Sequence, residues 1–464
     1  MQFQSKLAQY LTPIVIGKRV AILGMAREGI STYKTLRALF PDLSLVLVDR
    51  EEHLPEHITS LVKNDSNVKL ALGKEHLLGL EGSQVIFKTP GISSLLTPIQ
   101  DAVGRGAYLT SQTDICFAVF GNQTIAVTGT KGKSTACKVL THVLATAGKD
   151  VLFIGNIGRP AFDSLDGITD QTLIVYETSS HQCEGIRMSP HIAVFLNLFQ
   201  DHLDYYPSLA LYGEAKRQLF SHQQEGDICI YNIQDQGIGG LLAGVRGKRI
   251  GFSYEKKQFS SVYVENGEIV VEGTPLMPTN HVPLLGAHNT LNVMPAIIVA
   301  NQLGIPKDIL LQGLTSLTPV EKRLETIGIA QGITFIDDAL ATIPEATTAG
   351  LAALGDSVET LIVGGFDRGQ DFVKLSKAIA TSSVHNLILF PTTGEKIASL
   401  VKLQSDGISF VSATSMAQAV KIALRVTTKG KTVLLSTASP SFGLFIDYRD
   451  RSEQYLEAVR EAGE

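Results

Sequence analysis

One arrangement recurs along this chain and constrains its fold more than any other feature: a short apolar run, a glycine turn, then a helical pattern. It appears at Arg19–Gly24 before a helix from Ile30 to Phe40, and at Gln123–Gly129 before a helix from Ser134 to about Thr146. It appears again at Thr360–Gly365 before a helix from Phe372 to Thr381. A further apolar run, Ser44–Val48, ends in Asp49-Arg50. Strands that alternate with helices of this length form parallel βαβ units, so the expected class is α/β. The chain has 464 residues, and at roughly 150 residues per domain that is room for about three. The polar stretch Thr110–Asp114 and the turn-rich stretch Thr315–Lys322 place the expected domains at 1–113, 114–319 and 320–464.

Composition narrows the partners. Lys and Arg number 40 against 45 Asp and Glu, a net charge of −5, with no basic block. A duplex nucleic acid or an anionic membrane is therefore not the expected partner. The 42 glycines and the absence of Trp suit strand-to-helix turns better than an all-β sandwich. The four cysteines, Cys116, Cys137, Cys183 and Cys229, are far apart and form no C-x-x-C. They point to a reducing compartment and not to a disulfide framework. The first residues lack a signal-peptide layout, and no apolar run reaches the roughly 20 residues that span a bilayer. The expectation is a cytoplasmic protein.

Gly129-Thr130-Lys131-Gly132-Lys133-Ser134-Thr135 lies between a strand and a helix, where phosphate loops occur. Backbone N–H groups of such a loop and the helix start behind it attract anions, the lysine adds a point charge, and the next hydroxyl can ligate a divalent cation. The long form G-x-x-x-x-G-K-[ST] is not met, because Val127 stands where its first glycine would be. Downstream, the apolar run Thr172–Glu177 ends in Glu177-Thr-Ser-Ser-His-Gln182, and Ile192–Leu198 ends in Phe199-Gln-Asp201-His202-Leu-Asp204. Ligands collect at the carboxyl ends of strands in open α/β sheets. A carboxylate and an imidazole there suit a hard cation and phosphate charge. Taken alone, Asp201 and Asp204 read better as helix caps and His202 as a satisfied surface residue, and Lys216, on the expected helix around Tyr212–Lys216, reads by itself as a solvated charge.

Taken together, these segments resemble the Mur ligases, ATP-dependent amide-forming enzymes of peptidoglycan synthesis, and the resemblance runs the whole length. It covers Gly129–Thr135, Gly155–Gly158, Glu177–Gln182, Asn197–Tyr206, Lys216, Gly286–Asn292, Arg323–Glu325, Asp337–Ala346, Gly364–Phe372 and Leu434–Asp450. It implies three domains: an N-terminal Rossmann-like domain for the UDP substrate, a central ATPase-type domain with a mostly parallel sheet, and a C-terminal Rossmann-like domain for the amino acid. It implies ATP, and Mg²⁺ at two sites. By the same resemblance Gly129, Thr130, Lys131, Gly132, Lys133, Ser134, Thr135, Asn289, Asn292, Arg323 and Asp338 contact ATP. Ser134, Glu177, His202 and a carbamylated Lys216 would serve the metal, and Lys133, Glu177, His202 and Lys216 would carry catalysis. Arg27, Asp49, Arg50, Gly91, Asn156, Ser179 and Gln182 fall in the UDP-substrate region. Thr342, Asp367, Arg368, Ser441 and Phe442 fall in the amino-acid region.

The implied reaction adds D-glutamate to UDP-N-acetylmuramoyl-L-alanine through an acyl phosphate, in a monomeric enzyme. Charge neutralisation and in-line positioning carry such phosphoryl transfer, with no nucleophilic side chain required. Three departures from the resemblance stand out. Ala26 interrupts a dinucleotide-type glycine turn, Leu340 and Arg368 occupy places where these ligases usually carry lysine, and Ala438–Phe442 reads Ala-Ser-Pro-Ser-Phe. Guanidinium and ammonium hold a carboxylate differently. L-Glutamate or another amino acid is thus the alternative substrate, and a silent nucleotide-binding protein is the alternative class.

Overall fold

A computed structural model of the chain describes residues 2–156, 159–164, 167–202, 205–284, 286–318 and 322–463. Asp204 and the expected boundary at 319/320 lie outside the described residues. The expected alternation is present and builds three sheets. The first contains β1 (Val20–Leu23), β2 (Leu45–Asp49), β3 (Val68–Leu72), β4 (Val85–Lys88) and β5 (Tyr108–Thr110), in the order β3-β2-β1-β4-β5, all parallel.

The second sheet begins with β6 (Thr124–Thr128), β7 (Val151–Gly155), β8 (Leu173–Glu177), β9 (Ile192–Phe195) and β10 (Ile228–Asn232). It continues with β11 (Lys248–Glu255), β12 (Ser260–Glu265), β13 (Glu268–Val271) and β14 (Thr274–Pro278). Their order is β14-β13-β12-β11-β10-β9-β6-β8-β7, parallel from β7 to β12, with β13 antiparallel to β12. The third sheet contains β15 (Glu325–Ala330), β16 (Ile333–Asp337), β17 (Val358–Val363), β18 (Asn386–Leu389), β19 (Ser409–Ser412) and β20 (Thr432–Leu435). Its order is β15-β16-β20-β17-β18-β19, with only the β15–β16 pair antiparallel.

The central strands are mostly apolar because both faces are covered, as parallel sheets require. β1, β4, β6 and β9 are buried at every residue. Each buried Val, Ile or Phe there contributes on the order of 1.5–3 kcal/mol relative to exposure. By compactness the chain forms two units: Met1–Leu198, Ala210–Leu276 and Asn292–Gly313 in one, and Phe199–Leu209, Met277–Leu291 and Leu314–Glu464 in the other.

Some element ends differ from the sequence reading. The apolar run from Ile192 outlasts its strand, which stops at Phe195, because the following residues turn to clasp the phosphate loop. The helix Gln112–Phe120, capped by the Ser111 hydroxyl accepting from Asp114 N–H, runs through the expected boundary at 113/114. All four cysteines are free and buried. No helix among the described residues is long and apolar enough to cross a membrane.

Candidate active site

β6 lies between β8 and β9, and the chain leaves it at Gly129. Gly132 adopts φ 85°, and a Cβ at that position would lie 2.2 Å from Asn292 Oδ1. Only glycine both turns the loop and lets the asparagine approach so closely. The helix Lys133–Thr146 then begins with no side-chain cap, so its first N–H groups and positive dipole end serve the loop. Lys133 Nζ donates to the carbonyls of Gly129 (2.9 Å) and Thr130 (3.0 Å), which keeps the ammonium over the loop. Ser134 is half-buried in the first turn, and Thr135 is buried behind it.

The loop is fastened by a residue to which the sequence reading gave no role. Asn197 Oδ1 accepts from Lys131 N–H (2.8 Å), its Nδ2 donates to Lys131 O (2.9 Å), and its carbonyl accepts from Thr130 N–H (3.0 Å). The register Thr128↔Phe195 between β6 and β9 brings these distant segments side by side. That register, which no local pattern shows, is why Asn197 was missed.

Glu177 ends β8 and is 1% exposed. Its Oε1 accepts from Asn156 Nδ2 at 3.3 Å, whereas Oε2 is buried with no hydrogen-bond partner among the described residues. An unsatisfied buried carboxylate oxygen is costly, and it fits a hard cation that prefers oxygen ligands. Lys216, on the helix Leu209–Ser221, is not the solvated charge its sequence context suggests. It is 1% exposed, its Nζ donates to Gly129 O at 2.9 Å, and it lies 4.5 Å from the Tyr212 ring centroid. Lys133, Glu177, Lys216 and Asn292 are thus gathered at the carboxyl ends of β6 and β8 within one compact unit.

The residues assigned to the UDP substrate are spread over the same unit. Asp49 ends β2, where its carboxylate accepts from the N–H groups of Met25 (2.5 Å) and Glu51 (3.0 Å). Arg27 opens the helix Arg27–Leu39 and is exposed, as are Gly91 and Arg50, the latter 3.3 Å from Glu51. Ser179 and Gln182 form a capping box with each other on a one-turn helix, a structural use the sequence reading did not foresee. Two further ionisable groups are buried here, Glu28 in the first turn of the helix Arg27–Leu39 and Lys88 at the end of β4. Burial pushes the Glu28 carboxyl up to about 7 against the opposing pull of Lys88, and burial lowers the Lys88 ammonium.

The second unit carries the remaining candidates. Asn289 is buried on the helix Ala287–Gln302, three residues before the buried Asn292 of the first unit. Asp338 follows β16, where burial pushes its carboxyl up to about 7 although Ser436 Oγ donates to it at 2.8 Å and Arg323 lies near. Burial and the Arg323 charge press the His288 imidazole down to about 4. His202 is held at φ 55°, with its N–H donating to Asp201 Oδ1 at 3.0 Å.

Beyond β17, Gly365 is packed so that a Cβ would lie 2.3 Å from Pro440 O. The Thr342 carbonyl accepts from Gln370 Nε2 at 3.0 Å. Asp367 pairs with Lys396, which holds its carboxyl below the usual range. The Arg368 guanidinium carbon lies 5.7 Å from the Phe442 ring centroid, and Phe366 meets the same ring edge-on at 6.3 Å. Ser441 is buried and Phe442 is about half exposed.

The comparisons with known proteins agree with this geometry. A Mur ligase middle-domain model matches residues 127–300, and a Mur ligase glutamate-ligase-domain model matches residues 322–439. A UDP-N-acetylmuramoylalanine–D-glutamate ligase of Desulfitobacterium hafniense is 32% identical over 96% of this chain and 97% of its own length. The chain belongs to the Mur ligase family. A relative of the same name in Clostridioides difficile is 29% identical over 96% of this chain and 98% of its own. Among solved structures, MurF from Acinetobacter baumannii matches with a TM-score of 0.61 at 14% identity, covering 99% of this chain and 98% of that one. The UDP-N-acetylmuramate–alanine ligase of Thermotoga maritima matches at 0.59 and 18%, covering 96% and 100%. The Mur ligase fold is therefore present from end to end, and at such identities these structures speak for the fold alone.

Proposed function

We propose that this Mur ligase joins D-glutamate to UDP-N-acetylmuramoyl-L-alanine, cleaving ATP to ADP and phosphate. The observation that carries the reaction class is the buried Glu177 Oε2, which has no hydrogen-bond partner among the described residues, in the same compact unit as a phosphate loop bearing Lys133. The whole-length similarity to D-glutamate ligases carries the substrates. In this reading the residues divide among domains 1–113, 114–319 and 320–464, for the UDP substrate, ATP and the amino acid.

The N–H groups of Gly129–Thr135 bind the phosphates, and Lys133 exchanges its two loop carbonyls for phosphate oxygens. Ser134, Glu177, His202 and a carbamylated Lys216 would hold Mg²⁺ at two sites, where the cation neutralises phosphate charge. Asn289, Asn292, Arg323 and Asp338 take the rest of the nucleotide. Arg27, Asp49, Arg50, Gly91, Asn156, Ser179 and Gln182 orient the UDP substrate. Its carboxylate attacks the γ-phosphate to give an acyl phosphate, and the glutamate amine then displaces phosphate. Thr342, Asp367, Arg368, Ser441 and Phe442 place that amine. Four buried free thiols suit a reducing compartment, and the reading is completed by a cytoplasmic monomer.

The test is a product analysis with UDP-N-acetylmuramoyl-L-alanine, ATP and Mg²⁺. D-Glutamate should yield a product heavier by one glutamyl residue. No such product with D-glutamate, or preferential use of L-glutamate, overturns the assignment.

A further inference from the structure

In the first sheet the chain runs outward from β1 through β2 to β3, then returns to the other side of β1 for β4 and β5. The crevice between the turns after β1 and β4 is therefore the switch point where open parallel sheets take ligands. The two turns are built on each other. Leu23 O accepts from Thr89 N–H (3.0 Å) and from the Thr89 hydroxyl (3.1 Å). A Cβ on Gly24, which has φ 90°, would lie 2.2 Å from that hydroxyl. Thr89-Pro90-Gly91-Ile92 is a tight turn closed by Ile92 N–H donating to Thr89 O at 3.3 Å, with Gly91 exposed at its tip.

Beneath that turn lies a buried ammonium. Lys88, the last residue of β4, is 5% exposed, and its Nζ donates to Ile92 O at 2.7 Å and to Thr89 O at 3.4 Å. These bonds gather both ends of the turn. Burial disfavours the charge, while Glu184, just after the helix Ser180–Cys183, and Glu28 favour it. Glu28 Oε1 is buried with no hydrogen-bond partner among the described residues. The nearby carboxyls thus act on the ammonium through their field, and its bonds go to the turn. Burying an ammonium is costly, and the paired position in β1 is the apolar Leu23. Strand packing alone therefore does not call for a lysine at this place.

We propose that Lys88 is a positioning residue for the UDP substrate: it holds the turn Thr89–Ile92 from below and so fixes Gly91 at the mouth of the crevice between β1 and β4. Glycine at the tip lets a ligand come up to the main chain. Main-chain groups bind it well only if the turn that carries them is already in shape. Lys88 acts through the turn and away from the reacting atoms, so its loss weakens the binding of one substrate and spares the chemical step. This inference rests on the ligase reading above.

The experiment uses the full-length enzyme with UDP-N-acetylmuramoyl-L-alanine, ATP, D-glutamate and Mg²⁺, with calorimetric titration of the UDP substrate beside the kinetics. Lys88→Met keeps much of the side chain's length and removes its charge and both hydrogen bonds. It should raise the KM and Kd of the UDP substrate at least roughly tenfold, while kcat and the KM values for ATP and glutamate stay within about twofold. Lys88→Arg should recover part of the affinity. Lys88→Gln, which retains a donor, covers a Met variant that does not fold and should show a smaller rise confined to the same substrate. The proposal is overturned by an unchanged UDP-substrate KM, by a rise shared with ATP and glutamate, or by an Arg variant no better than the Met one. Failure of both the Met and the Gln variant to fold would also overturn it, by making Lys88 a residue of the fold. A wild-type enzyme that binds the UDP substrate and forms no product would instead sink the ligase reading, and Lys88 would then be judged on Kd.

Discussion

At the end of β6 and at the end of β17 the chain follows one plan, a buried parallel strand that breaks at glycine before a helix. The two ends are furnished differently. Gly129–Thr135 is fastened by backbone hydrogen bonds to Asn197 and by a close approach to Asn292, with its charged partners Glu177 and Lys216 each 1% exposed. Gly364–Phe372 instead presents Phe366 at 47% exposure and, from the neighbouring loop, Phe442 at 48%, with Arg368 and the Asp367–Lys396 pair between solvent and sheet. A cradle of main-chain groups cannot be altered without altering the fold, so it preserves the phosphoryl chemistry. Side chains that form such a site can be exchanged singly, and Arg368, 25% exposed, is one of them.

If that contrast is right, the largest effect should come from the cradle. Lys133→Ala should lower turnover by about 10³-fold at saturating ATP, the upper range for losing one charged stabiliser of a transferring group, with circular dichroism unchanged. Near-normal turnover would break the comparison at its firmer end. Asp338 probes a buried charge on the other unit. Its carboxyl is raised to about 7, so the folded state holds the proton longer than the unfolded chain, and this residue's contribution to stability declines as pH rises through that range. Asp338→Asn should therefore gain on wild type from pH 4 to 7, by at most about 4 kcal/mol at ~1.4 kcal/mol per pH unit. Urea melts across that range measure it, and a flat difference would mean Asp338 is ionised throughout.

Lys216→Ala should cost about 10²-fold in turnover, the lower range for one such group. Added formate or acetate should restore part of it if the lysine works as a carbamate. Full activity without bicarbonate dependence would reduce Lys216 to a structural donor to Gly129. Smallest is Arg368→Ala, which should raise the glutamate KM roughly tenfold, about 1.4 kcal/mol, and leave the ATP KM alone. Arg368→Lys should recover only part, since a point charge does not reproduce the fork.

Much of this was legible in the sequence because it is local. A glycine turn between an apolar run and a helix announces a phosphate loop, and Glu177 stands at the end of its run as expected. What was not legible depends on register and burial. Asn197 becomes a clasp only because β9 pairs with β6, and Lys216 changes from a surface charge to a buried donor through the packing of its helix. Ser179 and Gln182 show the reverse, since resemblance marked them for substrate while the structure also spends them on capping a short helix.

In the proposed reaction, activation at the phosphate loop proceeds without the amino-acid site. Positional isotope exchange in ATP labelled with oxygen-18 at the β,γ-bridge tests it directly, with UDP-N-acetylmuramoyl-L-alanine and Mg²⁺ present and glutamate omitted. The label should scramble in wild type and in Arg368→Ala, only when the UDP substrate is present, and not in Lys133→Ala. No scrambling in wild type, or its loss in Arg368→Ala, would contradict the account.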